Sequence, residues 1–392
     1  MNLHKFEFTG NAKEYFGIWI VNLFLSIITL GIYTAWAKVR RVRYFYGHTF
    51  LDGHNLEYHA KPKSILIGRI IVVGILIVMN ILVSITPFAT VLFIPYLLAL
   101  PWVINQAMRF NARVTSYRNV RFNFRGTYWQ ALKIFFLIPI GSILVFGLVT
   151  AGIGYLFRDS MVTNSGVPVN PSLLIGISVV VLLLAFIYAG LIIPYMSKII
   201  SNYIGNNLSF GSAKFHTDAR LKPLIANFAF SVVFFVVVVA AFALAGFILG
   251  AAGILNSLQV ASKIPQGQEA FYGGLFGLIF SVYIGVFLGF MFYNAGVRNI
   301  AYRATMLDGQ HQLQSSISAL RYVWIMVSNL VATIVTIGLL RPWAAIRTWR
   351  YLADNTGLIA KTDLGNIVDQ STPEGAAASA EFLDIEGIDF GL

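Results

Sequence analysis

The chain has no cysteine, which excludes disulfides, thiolate metal sites and cysteine nucleophiles. It is also poor in charge. Asp, Glu, Lys and Arg make up 11% of its 392 residues and hydrophobic residues 57%, against about 25% and about 45–50% in soluble domains. All 16 carboxylates fall outside the long apolar runs, so the acidic relay that proton-driven transport ordinarily places at membrane depth is missing. No Gly-x-Ser-x-Gly elbow, phosphate loop or dinucleotide fingerprint stands in a strand-to-helix context. No catalytic residue, cofactor or nucleic-acid partner is expected, and the chain does not read as an enzyme.

What the chain has in abundance is apolar length. A bilayer-crossing helix needs about 20 mostly apolar residues, and such runs cover 16–37, 64–84, 87–107, 134–157, 173–197, 224–255, 271–293 and 322–343. The expected fold class is an all-α polytopic membrane protein: about eight hydrophobic helices in internal repeats across residues 1–359, with short β-hairpins on the cytoplasmic side. Residues 360–392 carry one Lys and seven acids and read as an acidic, disordered tail.

One segment occurs twice. Tyr15, Asn22-Leu23, Thr29-Leu30-Gly31, Trp36-Ala37, Arg40, Arg43-Tyr44 and Thr49 reappear 307 positions later. The second set is Tyr322, Asn329-Leu330, Thr336-Ile337-Gly338, Trp343-Ala344, Arg347, Arg350-Tyr351 and Thr356. A shorter match at an offset of 183 pairs Met108, Asn111, Ala112 and Val114 with Met291, Asn294, Ala295 and Val297.

Basic residues fix the sidedness. They crowd the connections at 38–63, 109–125, 198–222 and 298–321, whereas Arg158 and Lys263 are the only ones in the alternate connections. The crowded set is cytoplasmic by the positive-inside rule, and the second to seventh segments then form three hairpins entering from the cytoplasm. The first and last segments resist this scheme, because the last is basic at both ends. Either each crosses fully, leaving both chain ends outside, or each dips in and returns, breaking near Gly31 and Gly338.

The cytoplasmic connections carry turn signals, Asp52-Gly53 and Asp308-Gly309, beside alternating stretches such as Phe122-Asn123-Phe124. They form either isolated interfacial loops or a small sheet capping the cytoplasmic side. These hairpins, the Phe6-x-Phe8-x-Gly10 start, the stretch Thr29-Leu30-Gly31-Ile32-Tyr33-x-x-Trp36-Ala37 and Arg43-Tyr44 resemble the YjgN-like family of bacterial inner-membrane proteins, a domain of unknown function. The resemblance implies a multi-pass location in the bacterial inner membrane and brings no activity or site residues.

Candidate site residues are few. Asn22 and Asn329 are amides at matching depths, positioned to bond across the bundle or to line a polar path. Arg69, five residues inside the second segment, either snorkels to the interface or faces an anion or polar cavity. Gly273, Gly277, Ser281, Gly285 and Gly289 recur every fourth residue, as do Gly246 and Gly250, a spacing that lets helix backbones approach. Pro87, Pro95, Pro101, Pro139 and Pro194 can break or kink helices. His48, His54 and His59 match no metal-ligand spacing and read as hairpin surface. The leading expectation is a channel or facilitated transporter. The alternative is a binding or scaffolding protein whose basic cytoplasmic face engages anionic membrane lipid or a protein partner; a lipid-acting enzyme comes third. Homo-oligomerisation is left open.

Overall fold

The computed structural model describes residues 2–158, 171–251 and 269–361. Strand β1 (Asn2–Phe8) leads into helices α1 (Ala12–Ile28) and α2 (Thr34–Gly47), then β2 (Thr49–Leu51) and β3 (His54–Tyr58). Helix α3 (Pro62–Ile85) connects through a 3₁₀ turn (Pro87–Leu92) to α4 (Phe93–Arg113), followed by β4 (Thr115–Tyr117) and β5 (Val120–Phe124). Helix α5 (Tyr128–Leu132) passes through a π turn (Lys133–Leu137) into α6 (Ile138–Leu156); α7 (Pro171–Asn207) then enters β6 (Leu208–Phe210) and β7 (Ala213–Thr217). Helices α8 (Leu221–Ala251) and α9 (Glu269–Arg303) precede β8 (Thr305–Leu307) and β9 (His311–Ser315). The chain closes with α10 (Ala319–Val335), α11 (Arg341–Asp354) and β10 (Thr356–Ala360).

The expectation of an all-α protein is overturned. All ten strands join in one closed antiparallel barrel, in the order β1-β10-β9-β8-β7-β6-β5-β4-β3-β2, with β2 paired back to β1. Four hairpins supply eight strands. The fifth pair is made by the two ends of the described chain, where Asn2 lies opposite Ala360. Short two-stranded pieces are marginal alone; closure gives every edge a partner and removes the exposed edges such pieces would otherwise carry. The turns are as tight as the sequence asks. Asp52 and Gly53, and Arg118 and Asn119, all take positive φ, the hairpin-turn conformation that matches strand twist.

The barrel is filled, not hollow. Leu51, Tyr117, Phe210, Leu307 and Leu358 form one buried ring, one residue from each of β2, β4, β6, β8 and β10. Phe6, Leu56, Phe122, Phe215 and Leu313 from the intervening strands pack against it. The strands are short because a barrel of this width needs only these layers to exclude water from its centre.

Five helix pairs stand on the barrel, each leaving and returning through neighbouring strands. One polar contact closes all five. Six residues before the first strand of each hairpin, a side chain near the end of the incoming helix bonds the backbone two residues past the second strand. Arg43 Nη2 donates to Ala60 O at 3.3 Å, Arg109 Nη2 to Gly126 O at 2.7 Å and Arg350 Nη2 to Gly10 O at 2.8 Å. Asn202 Oδ1 accepts from Ala219 N at 2.8 Å, and Asn299 Nδ2 donates to Ile317 O at 2.8 Å. The next helix starts two residues later, and in α1, α5 and α10 the residue between, Asn11, Thr127 or Ser318, caps it. Measured on this frame, β4 and β8 begin 190 residues apart, so the sequence match at 183 is displaced by seven residues, two helical turns.

Among the described residues six helices are long and apolar enough to cross a membrane: 62–85, 90–113, 128–156, 172–207, 221–246 and 277–303. The expected eight segments therefore resolve differently at the two ends. Segments 16–37 and 322–343 each break and turn back, as α1–α2 and α10–α11. The break is a left-handed pair, Leu30 (φ 50°) with Gly31 (φ 91°), repeated at Ile337 (φ 51°) and Gly338 (φ 90°). Gly31 N bonds Ser26 O and Gly338 N bonds Thr333 O, the helix-terminating bond that a left-handed residue permits. Thr29 Oγ1 and Thr336 Oγ1 then accept from Tyr33 N and Leu340 N. At 17 residues α1 is about 25 Å long, and its hairpin ends in a side chain, Leu30, that is 94% exposed, as is Ile337. Both are re-entrant hairpins, so the first and last described strands lie on the same side.

Candidate functional site: a basic cavity between the re-entrant hairpins

The two re-entrant hairpins face each other across a cavity of about 1000 Å³. Its floor carries Phe45, Tyr46 and Trp349, the last of which bonds Thr49 at the start of β2. Its walls carry Tyr15, Trp19 and Leu23 from α1, and Met326 and Leu330 from α10. The polar lining includes Asn22, Ser26, Thr34, Asn329, Thr333 and Thr348. Four cations complete it: Lys38 and Arg41 from α2, Arg69 from α3, and Arg341 at the start of α11. No carboxylate is among the lining residues.

The three sequence candidates for a polar path all line this one cavity. Asn22 is 7% exposed and Asn329 6%, yet their surroundings differ. Asn329 Nδ2 donates to Ala344 O at 3.1 Å and Thr348 Oγ1 at 2.9 Å, and its Oδ1 accepts from Arg347 Nη1 at 3.1 Å. Asn22 Oδ1 is buried with no hydrogen-bond partner. The cause is local sequence. Thr348, 307 residues after Arg41, supplies a hydroxyl where the first copy carries a guanidinium. Arg40, the counterpart of Arg347, lies over the Tyr33 ring instead. Arg69 reaches inward and donates to Thr34 Oγ1. Lys38, Arg41 and Arg341 make no side-chain hydrogen bond or salt bridge among the described residues. The sequence singles out Arg69 but not these three, because each stands beside other basic residues at what reads as a helix exit.

The family profile described as "Bacterial protein of unknown function (DUF898)" matches residues 3–385. The chain belongs to this family. It is 25% identical over 383 residues to the "Inner membrane protein YjgN" of Salmonella typhimurium, covering 94% of this chain and 92% of that one. It is 24% identical over 374 residues to the protein of the same name from Escherichia coli O157:H7, covering 92% and 89%. No solved structure matches it. With six spanning helices and these relatives, the chain is a multi-pass inner-membrane protein.

The remaining candidates scatter. Gly246 and Gly277 meet backbone to backbone: a Cβ on either would sit 3.4–3.5 Å from the other's Cα. A Cβ on Gly285 would meet Val239 Cγ2 at 2.7 Å and Phe235 Cδ2 at 2.9 Å, and Gly289 faces Phe235 and Ser231. Gly250 and Gly273 belong to α8 and α9, each four residues along its helix from the Gly246–Gly277 contact. Among the described residues no three His, Asp or Glu side chains converge as metal ligands. His48 Nδ1 contacts Tyr44 O at the end of α2, and His59, just past β3, contacts Ser116 Oγ of β4 through Nε2. The opening Phe-x-Phe-x-Gly motif has a packing cause. Phe8 folds over Gly10 and Phe124 over Gly126, so closely that a Cβ at either glycine would stand 2.5 Å from the ring.

Proposed function

We propose that the protein is a facilitated transporter whose solute site is the cavity between the two re-entrant hairpins. The observation that carries this reading is a chamber with four cations in its lining, placed among membrane helices and lined by residues of five of them, α1, α2, α3, α10 and α11. A purely structural bundle would fill that volume with apolar side chains, since unpaired charge at membrane depth is costly. The packed barrel core argues against an open pore along the barrel axis, so release to the cytoplasm requires movement of the hairpins against their neighbours. The test is flux: the purified full chain in liposomes should pass a solute that Arg41→Gln and Arg69→Gln variants pass poorly. Flux equal in empty liposomes and in those with protein, across a panel of anions, would refute it.

A second reading, binding or scaffolding through the cytoplasmic face, is favoured by the barrel itself. It is a closed platform carrying the half-buried Arg118 on the β4–β5 turn and the exposed Arg121 beside it on β5.

We further infer that the five helix–hairpin–helix units are copies of one unit, the support being their common six-residue and two-residue spacings. If so, the β10–β1 pair is one hairpin among five. A circular permutant joining Ala360 to Asn2 and opened between Asp308 and Gly309 should then insert and melt like the parent. Failure to fold would count against equivalence of the units.

A further inference from the structure

Resting on the reading of this cavity as the solute site, we propose that its ligand is an amphiphilic anion, a phosphate or comparable oxyanion head on an apolar body. The first argument is charge. Lys38, Arg41, Arg69 and Arg341 line one chamber without a carboxylate among the lining residues. Like charges gathered away from bulk water repel and lose hydration, and an anion among them relieves both costs. Only Arg69 spends a side-chain bond on a described residue, Thr34. The second argument is the amide of Asn22. It is buried with Oδ1 unpartnered, whereas its counterpart Asn329 is fully engaged. A hydroxyl or protonated oxygen on the ligand head would satisfy it, which a bare halide would not.

The third argument is the wall. About 1000 Å³ far exceeds what a small inorganic ion fills, and besides the cations the lining includes Tyr15, Trp19, Leu23, Phe45 and Leu330. Apolar lining with a few convergent charges is how sites hold a ligand with one polar end. The hairpin tips beside this chamber carry Leu30 and Ile337, each 94% exposed, apolar side chains suited to a lipid surrounding. The same head chemistry occurs on membrane phospholipids and on soluble phosphates, and the experiment separates them.

Native mass spectrometry of the full chain in a non-ionic detergent would be run with dioctanoyl phosphatidic acid, dioctanoyl phosphatidylcholine and inorganic phosphate. The phosphatidic acid should bind saturably. Phosphatidylcholine and phosphate should bind at least about tenfold more weakly, the loss of one charge-assisted contact of about 1.4 kcal/mol. Arg41→Gln should weaken the acidic lipid about tenfold, and Lys38→Gln should do so independently. Neither removes a bond seen in the fold, so both should melt like the parent without lipid. Arg118→Gln and Arg121→Gln, on the barrel turn, should leave binding unchanged. Equal loss from the barrel-turn variants would mean general attraction to a basic face and would overturn the proposal. So would phosphate binding as tightly as the lipid, or no effect of either cavity variant. Saturable binding without flux would remove the transport reading and leave this inference standing; absence of binding would remove this inference even if another solute were carried.

Discussion

Trp349 Nε1 donates a 2.9 Å hydrogen bond to Thr49 Oγ1 across 300 positions of sequence. The contact ties the last helix to the first hairpin, at the point where the cavity floor meets the barrel. Phe45 and Tyr46 pack on the same indole, with ring centroids 4.9 and 6.1 Å away. Thr49 keeps a bond to Phe45 O when the indole N–H is lost. Trp349→Phe should therefore cost only about 1 kcal/mol, and Trp349→Ala about 3–5 kcal/mol. Denaturation of the detergent-solubilised protein measures both. Equal costs would mean that the ring packing contributes nothing.

The two asparagines should behave differently despite their matching positions. Asn22→Leu breaks no described side-chain bond and removes a buried unpaired oxygen, so stability should hold or rise. Asn329→Leu removes one of two side-chain donors to Ala344 O, the other being Thr348 Oγ1, and takes an acceptor from Arg347, and should cost about 1–3 kcal/mol. Thermal melts of the two variants side by side check this, and equal destabilisation would contradict the geometry.

With both end hairpins turning back, the positive-inside rule predicts that the first and last described strands face the cytoplasm. Single cysteines at Lys13 and Asn355, like those at Asn119, Asn207 and Gln310, should resist a membrane-impermeant thiol reagent in intact cells. Cysteines at Asn164 and Gln266, which lie outside the described residues, should react by the charge rule. The absence of native cysteine leaves no background. Labelling at Lys13 would restore a full crossing by the first segment.

The small-residue contacts grade the glycines of α9. Gly285→Ala drives a methyl into Val239 and Phe235 and should cost about 1–3 kcal/mol. Gly277→Ala meets Gly246 at ordinary contact distance and should be mild, whereas Gly277→Leu should separate the helices. Melting temperatures in that order, Gly277→Ala highest, are the expected result.

His311 makes the barrel acid-sensitive. Burial pushes its imidazole below the usual histidine range; Asp308 opposes this and Lys361 adds to it. Its Nδ1 accepts from Lys361 N at 3.3 Å. The unfolded chain binds the proton from about pH 6.5 downward while the folded chain binds it only at lower pH. The neutral ring's contribution is thus complete above about pH 6.5 and is lost as pH falls toward the folded value. His311→Gln should flatten the fall in melting temperature between pH 8 and pH 5.5. An unchanged slope would exclude this residue as its source.

Much of this protein is legible in one dimension because the signals are local. Apolar length, clustered Arg and Lys, Asp-Gly turns and the 307-residue match specify a polytopic membrane protein with hairpins on its basic connections and give Asn22 and Asn329 matching positions; the inner membrane is what the family resemblance implies. The barrel was not legible. Its strands are three to seven residues long and individually marginal, and closure depends on β1 meeting both β2 and β10, a pairing between the two ends of the described chain that no local pattern encodes. Re-entry was decided the same way. An apolar run of 22 residues is long enough to cross, and only the anchoring of both hairpin ends to neighbouring strands forces it back. The cavity's charge is the third such case. Lys38 and Arg41 read as an ordinary basic helix exit, and Arg341 as another far along the chain. Folding α2, α3 and α11 around one barrel is what turns three separate basic stretches into a single site.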